Sequence, residues 1–200
     1  MNQSTPPAAR RRLEHLSTLA LILALVIAGY VAFTTRPWDQ SNDSGGPLGL
    51  LGGDVGAPRP GEEAPDFALL REDGSTLRLS ELRGTPVFLN FWATWCTFCL
   101  EEMPDMQRIA EQFDGQVVVL GLNAGDSIED GASFARSIGA TYELVYDTEQ
   151  EVVGGYRVRA MPTSYFLDGD GRIVDAHFGF LTYDDMLAKV TNLIEDGRDG

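Results

Sequence analysis

The most constraining feature of this chain is a continuous apolar run that leads into its only two cysteines. Val87–Trp92 is apolar except for Asn90, and Cys96 and Cys99 follow after a short gap. An unbroken apolar run of this length predicts a central strand that is buried on both faces. Beyond the cysteines, apolar residues recur every three or four positions from Leu100 to Phe113, which predicts a helix. The cysteine pair is therefore expected where a buried strand turns into a helix.

Two thiols at this spacing can close a small disulfide ring or form half of a metal site. No second cysteine pair completes a four-sulfur cage, so redox chemistry is the favoured interpretation. At a helix start, Cys96 would face unpaired N–H groups, which can lower a cysteine pKa from about 8.5 to about 7 or below. Cys99, one turn later, would be shielded and could attack a mixed disulfide formed by Cys96. A structural disulfide is the alternative, although closing so short a loop removes little chain entropy.

Strand and helix patterns alternate through the rest of the domain. This order predicts an α/β domain with a mixed central β-sheet flanked by helices and preceded by a β-hairpin. The predicted elements, besides those around the cysteines, are a hairpin turning at Asp73–Gly74, a strand over 116–123, a helix from Ser127, a strand over Glu143–Tyr146, a helix beginning at Asp147, a hairpin turning at 168–171 and a helix from Thr182.

The N-terminal third of the chain predicts a membrane anchor and a spacer. Residues 1–15 form a polar tail with an arginine cluster, and residues 16–35 contain no charge, enough to cross a hydrocarbon layer of roughly 30 Å as a helix. The arginines predict that the tail is cytoplasmic and that the domain lies outside. Residues 36–61 are rich in glycine and proline and predict a flexible linker to a domain over 62–200. A cleaved signal peptide is the alternative, and it also predicts export.

The charge of the chain disfavours nucleic acid as a partner. The formal net charge is −15, and from Arg36 onward 12 basic residues face 29 acidic ones. Such a surface repels phosphate backbones. A solubilising coat is the favoured interpretation, and a surface for a basic partner is the alternative.

Two segments carry a resemblance to a known family. The run Phe91–Cys99 with Glu102-Met103-Pro104, and later Tyr156-Arg157-Val158 with 161–174, resemble the signatures of the membrane-anchored thioredoxin-like proteins of the TlpA/ResA type. These are related to DsbE and form a branch of the redoxin or AhpC/TSA superfamily. The resemblance spans about residues 62–195. It implies a thioredoxin-like fold behind a single N-terminal transmembrane helix, and a monomer.

The resemblance also implies roles for individual residues. Cys96 would be the exposed nucleophile and Cys99 the resolving thiol, together forming a redox-active disulfide. Pro162 would be a cis-proline that packs against this disulfide and lets the backbone at Met161 pair with an extended substrate. Glu102 would tune the thiol pKa values and proton transfer, while a solvated helix carboxylate is its alternative interpretation.

Three further residues complete the expected substrate surface, which consists of Trp95, Thr97, Phe98 and Met161. Phe98 departs from the family, which usually has proline there, so the reduction potential cannot be transferred from relatives. Phe98 could contact substrate or be a tolerated, partly exposed aromatic. Asn90 occupies the place of a buried aspartate in thioredoxin, which shifts the acid-base role toward Glu102.

The expected function is thiol-disulfide oxidoreduction outside the cytoplasm. The resemblance implies that electrons pass from a membrane thiol reductase of the CcdA/DsbD type to oxidised protein thiols, such as those of apocytochrome c during cytochrome c maturation. The alternatives are a peroxiredoxin-like thiol peroxidase and a non-catalytic tethered binding module. We expect no cofactor besides the disulfide and no metal: residues 168–171 lack the further ligands of a calcium loop, and His177 stands alone.

Overall fold

A seven-stranded mixed sheet runs through the domain, which the computed structural model describes from residue 56 to residue 196. The strands are β1 Ala68–Leu70, β2 Thr76–Arg78, β3 Val87–Trp92, β4 Val118–Ala124, β5 Glu143–Asp147, β6 Thr163–Leu167 and β7 Ile173–Phe178. The helices are α1 Thr97–Gln112, α2 Ile128–Ser137, α3 Glu151–Gly155 and α4 Tyr183–Asp196, with a 3₁₀ turn at Leu79–Leu82.

The strand order is β2-β1-β5-β4-β3-β6-β7, which places β3 inside the sheet. β3 is parallel to β4 and antiparallel to β6, and β4 is parallel to β5. The two predicted hairpins are present as the antiparallel pairs β1–β2 and β6–β7. The predicted α/β domain with a mixed sheet is therefore confirmed.

All six residues of β3 are buried, which explains the unbroken apolar run. Phe88 and Trp92 belong to a core cluster that includes buried residues of α1 and α4, and Phe88 stacks on Phe166 with ring centroids 4.7 Å apart. Leu89 and Phe91 belong to a second cluster, formed with β4, β5 and β7 among others. Successive residues of a strand point to opposite faces, so β3 holds both clusters together.

The helix predicted after the cysteines is α1, with Cys96 as its N-cap. It continues through Pro104, and its buried side chains are Cys99, Glu102, Met103, Met106 and Ile109. These positions recur at the three- and four-residue spacing of one helix face, packed against the sheet. A carboxylate within this apolar stripe is the exception that matters for the site.

The prediction of a helix beginning at Asp147 is wrong. Asp147 ends strand β5, and helix α3 begins only at Glu151. Asp147 is nevertheless bound to the helix, because its carboxylate accepts hydrogen bonds from the N–H groups of Glu151 and Val153 at 3.0 and 2.8 Å. The sequence pattern therefore located the capping group of the helix rather than its first turn.

The predicted tail over 1–15 and transmembrane helix over 16–35 lie outside the described residues, as does most of the predicted linker. In the described range 56–196, no helix is long and apolar enough to cross a membrane. At the start of this range, the Gly61 N–H donates to the Ile173 carbonyl at 2.8 Å, so the chain already contacts β7 there.

Candidate functional site

The disulfide lies at the N-terminus of α1. Cys96 and Cys99 are bonded to each other, with Cα atoms 5.3 Å apart. The Cys99 N–H points at the Cys96 sulfur, 3.2 Å away, and the Leu100 N–H binds the Cys96 carbonyl at the same distance. Free N–H groups and the helix dipole favour negative charge at this position. In the reduced protein this geometry favours the Cys96 thiolate, the form that attacks disulfides.

The expectation that Cys96 is exposed needs correction. Cys99 is completely buried and Cys96 is only 6% exposed, whereas the flanking Trp95 and Phe98 are 69% and 59% exposed. The disulfide draws Cys96 toward the buried Cys99, and both belong to the core cluster on the α1 face of the sheet. Cys96 is thus the more accessible of the two sulfur residues, but exposed aromatic side chains dominate the surface around it.

A cis-proline stands at the start of β6. The Met161–Pro162 peptide bond is cis, as the resemblance implies, and the Pro162 carbonyl accepts a hydrogen bond from the Gly179 N–H at 2.8 Å. Met161 is half-buried and packs against both core clusters, including the one that contains the two cysteines. Within residues 56–196 the Met161 backbone forms no hydrogen bond. Its N–H and carbonyl are therefore available to an extended chain.

Glu102 is fully buried on the same face of α1 as Cys99, so the solvated-carboxylate interpretation is wrong. Its Oε1 accepts a hydrogen bond from Asn90 Nδ2 at 2.7 Å, and its Oε2 accepts one from the Leu181 N–H at 3.0 Å. Burial raises the pKa of Glu102 to about 7, although the two hydrogen bonds act in the opposite direction. A carboxyl group with this pKa can exchange a proton near neutral pH.

Asn90 connects Glu102 to the neighbouring strand. Its Nδ2 also donates to Ser164 Oγ at 3.1 Å, while its Oδ1 is buried with no hydrogen-bond partner among the described residues. Rotating the amide by half a turn would place Oδ1 against Glu102, where it could accept a hydrogen bond from the protonated carboxyl group. The pair is therefore suited to either protonation state of Glu102.

Exposed aromatic side chains surround the disulfide. Phe98 on α1 contacts Phe180, which follows β7, with ring centroids 6.3 Å apart. Phe178 pairs in register with Thr163, the residue after the cis-proline, and is 64% exposed. Thr97 is exposed as well. Phe178 and Phe180 were not predicted as site residues from the sequence, where their only signal is that two apolar residues flank Gly179.

A third residue missed from the sequence is Asp126, in the loop between β4 and α2. Its carboxylate accepts hydrogen bonds from the Thr94 N–H and from Thr94 Oγ1, both at 2.8 Å. Thr94 lies two residues before Cys96. The only sequence signal was the position of Asp126 just after a buried parallel strand, next to the end of β3.

The 168–171 turn and His177, which were considered as metal ligands, contact neighbouring backbone groups instead. The Asp168 carboxylate accepts hydrogen bonds from the N–H groups of Asp170 and Arg172, which closes the predicted hairpin turn. His177 Nε2 lies 3.3 Å from the Phe180 carbonyl. In the part of the chain that the structure describes, no three His, Cys, Asp or Glu residues are grouped to hold a metal ion.

A Cys-x-x-Cys disulfide at a helix N-terminus, beside a cis-proline on a mixed sheet, defines a thioredoxin-like thiol-disulfide oxidoreductase. The chain belongs to the AhpC/TSA family, whose model matches residues 60–176. Within it, the chain matches the TlpA/ResA/DsbE-like thioredoxin-like proteins.

Individual relatives agree with this assignment. The thiol-disulfide oxidoreductase ResA of Bacillus subtilis is 36% identical over 139 residues, which cover 69% of this chain and 77% of ResA. A thiol:disulfide interchange protein of the DsbE type from Chlorobium tepidum superimposes with a TM-score of 0.64 at 28% identity, covering 68% of this chain and 99% of that one. The exposed lipoprotein thioredoxin Etrx1 of Streptococcus pneumoniae gives a TM-score of 0.58 at 32% identity, covering 64% and 100%.

Proposed function

We propose that this oxidoreductase is tethered to the outer face of the cell membrane and reduces disulfides in exported proteins. The observation that carries the proposal is the arrangement of the disulfide at the α1 N-terminus above the buried Glu102. The uncharged run over 16–35, preceded by arginines, supports the tether and its orientation.

The first step is attack by the reduced Cys96 thiolate on a substrate disulfide. A bond forms between Cys96 and one substrate sulfur, the substrate S–S bond breaks, and the other substrate sulfur leaves as a thiolate that takes up a proton. Cys99 then loses its proton and attacks the Cys96 sulfur of the mixed disulfide. This releases the second substrate thiolate, which is also protonated, and leaves Cys96 and Cys99 oxidised while the substrate has gained two electrons.

Glu102 is the proposed acceptor of the Cys99 proton. The two residues are three positions apart on one helix, so their side chains lie on the same buried face. With a pKa of about 7, Glu102 is partly ionised at neutral pH and can take this proton. The Asn90 amide can then reorient to accept a hydrogen bond from the protonated carboxyl group, because its Oδ1 has no other partner among the described residues.

The proposed substrate surface combines backbone pairing with aromatic contacts. An extended segment would pair with the Met161 backbone and lie against Trp95, Thr97 and Phe98. Phe178, which ends β7, and Phe180, which follows it and contacts Phe98, extend this surface. Apolar side chains next to the substrate cysteine would be favoured.

A membrane thiol reductase of the CcdA/DsbD type would return the disulfide to the dithiol, since each cycle consumes two electrons. Apocytochrome c during cytochrome c maturation is the proposed substrate, and the protein is proposed to act as a monomer. The acidic surface favours a partner whose docking face is basic.

Trapping tests the proposal directly. The Cys99→Ala protein, expressed at full length, should accumulate mixed disulfides through Cys96 with exported proteins, and the Cys96→Ser, Cys99→Ala double variant should accumulate none. Capture of cytochrome c-type polypeptides would support the maturation role. Absence of any covalent partner, with Cys96 reduced and reactive toward an alkylating reagent, would contradict substrate reduction.

Insulin reduction assayed beside peroxide consumption separates the alternatives. We expect insulin reduction that is lost in Cys96→Ser. Peroxide turnover without insulin reduction would instead support the thiol peroxidase, and neither activity would support a binding module.

A further inference from the structure

We propose that Asp126 is a positioning residue for Cys96, acting as a clamp on the turn that delivers this cysteine to the helix. The proposal rests on thiol-disulfide exchange through Cys96, and it holds whichever substrate is reduced.

The clamped segment is the four-residue turn from Ala93 to Cys96. The Cys96 N–H donates to the Ala93 carbonyl at 3.1 Å, which closes the turn between β3 and α1. Thr94 is the second residue of this turn, and its N–H and hydroxyl group are both bound by Asp126 at 2.8 Å. One carboxylate therefore holds the turn by two charge-assisted hydrogen bonds.

Asp126 is itself held from the sheet. Asn123, buried near the end of β4, donates from Nδ2 to Asp126 Oδ2 at 2.8 Å and accepts from the Asp126 N–H at 3.1 Å. The loop also depends on Gly125, which has φ of +88° and packs so closely on Gln150 that an added Cβ would collide with that side chain. A positive φ of this kind favours glycine.

The position of the clamp has two consequences for the disulfide. First, the turn is fixed by groups that do not include either sulfur, so the hydrogen bonds of the clamp do not depend on the oxidation state of the cysteines. Second, the half-buried Asp126 carboxylate binds Thr94, two residues before Cys96, and its negative charge there opposes the effect of the helix dipole on the Cys96 thiolate. Asp126 is thus suited to hold Cys96 in position and to make its thiolate less stable than the helix dipole alone would. Glu102 on α1 is a further acidic group near the cysteines, and it lies in the core instead.

The test separates charge from geometry with two variants. Asp126→Asn removes the charge and keeps one carbonyl acceptor, while Thr94→Val keeps the charge and removes the hydroxyl hydrogen bond. We expect Asp126→Asn to shift the redox equilibrium with glutathione toward the reduced protein by at least about threefold. This ratio corresponds to a decrease of about half a unit in the pKa of the Cys96 thiol. We expect Thr94→Val to lower kcat for insulin reduction at least about threefold with little change in KM, and Thr94→Ser to restore it.

Asp73 provides a matched control. Its carboxylate also binds one N–H group and one hydroxyl group, those of Ser75, but it lies in the β1–β2 turn, several strands from β3. Asp73→Asn changes the net charge equally and should leave the redox equilibrium and kcat unchanged.

Two outcomes would overturn the clamp: a redox equilibrium in Asp126→Asn equal to that of Asp73→Asn, or unchanged kcat in Thr94→Val. If Asp126→Asn fails to fold, Thr94→Val and its rescue by serine still decide the matter. The redox equilibrium is measurable even in a protein that does not reduce insulin, so failure of the proposed function would be recognised separately.

Discussion

The two buried carboxylates Asp147 and Glu102 have different roles in the same fold. Asp147 is 2% exposed and accepts two backbone N–H groups from the first turn of α3. Glu102 is fully buried and accepts only one backbone N–H, with an amide as its second partner. Asp147 closes a helix end that would otherwise leave donors unsatisfied.

The surroundings of the two groups differ as much as their hydrogen bonds. Asn90, the amide partner of Glu102, carries a buried oxygen with no partner among the described residues. A buried polar group without a partner destabilises the fold, so its presence beside a carboxyl group needs an explanation. Alternation of Glu102 between its two protonation states supplies that explanation. We therefore interpret Asp147 as structural and Glu102 as functional.

The largest expected effect is that of Glu102→Gln on the pH dependence of stability. Burial raises the pKa of Glu102 from 4.5 to about 7, so the folded protein holds this proton more tightly than the unfolded chain. The stabilisation is complete below pH 4.5 and is lost as pH rises through 7. Relative to the wild type, Glu102→Gln should gain about 3 kcal/mol between pH 4.5 and pH 8, as measured by urea unfolding of the oxidised proteins.

The same substitution should impair turnover. Insulin reduction by Glu102→Gln at pH 8 should fall about tenfold or more, because the acceptor of the Cys99 proton is lost. Its rate should also lack an inflection near pH 7. Glu101→Gln, on the exposed side of the same helix turn, is the control. Wild-type turnover and an unchanged pH profile in Glu102→Gln would refute the proposed proton transfer.

Asp147→Ala should have the second largest effect, and on stability alone. The substitution leaves the N–H groups of Glu151 and Val153 without their acceptor, which should lower the free energy of unfolding by about 2 kcal/mol. Asp147→Asn, which retains one good acceptor, should lose about half as much. Insulin reduction per folded molecule should stay within about twofold of the wild type. A larger loss in a folded Asp147→Ala protein would remove the contrast with Glu102.

Asn90→Leu should have a smaller effect, and one that grows as pH rises. Leucine removes the hydrogen bond that lowers the pKa of Glu102, so the activity inflection should move above 7 by up to about one unit. It also removes the oxygen that the rotated amide would offer to the protonated carboxyl group. The variant should therefore be slightly less stable than the wild type at pH 5, where Glu102 is protonated, and lose more at pH 8, where the carboxylate keeps only the Leu181 N–H as a donor. An inflection that stays near 7 would show that Asn90 does not respond to Glu102.

The difference between the two carboxylates also shows which features of the fold and the site could be predicted from the sequence. The strand β3, the disulfide position and helix α1 follow from local spacing, because an apolar run, two cysteines and a helical repeat lie within one short segment. Pro162 came from the family resemblance. Neither source gives the burial of Glu102, whose backbone partner Leu181 lies 79 residues further along the chain.

Long-range contacts account for the other omissions. Asp126 reaches Thr94 across 32 residues, and Phe180 meets Phe98 only because β7 returns beside the cis-proline strand. A carboxylate in a loop or a phenylalanine after a strand has the same local pattern whether or not it reaches an active site. The error at Asp147 has a different, local origin, because a residue that ends a strand and one that begins a helix can both cap that helix, and propensity does not distinguish them.

Phe98→Ala should have the smallest effect and tests whether the aromatic surface keeps water from Glu102. Phe98 lies four residues before Glu102 on α1 and contacts Phe180, whose neighbour Leu181 binds the carboxylate. Burial is the main cause of the raised pKa of Glu102. Removing the Phe98 ring should let water approach the carboxyl group and lower this pKa below 7 by a few tenths of a unit. The inflection of insulin reduction measures this shift. Trp95→Ala removes a more exposed aromatic that precedes the helix and should leave the inflection in place. Equal inflections in the two variants would mean that Phe98 contacts only substrate and does not shield the buried acid.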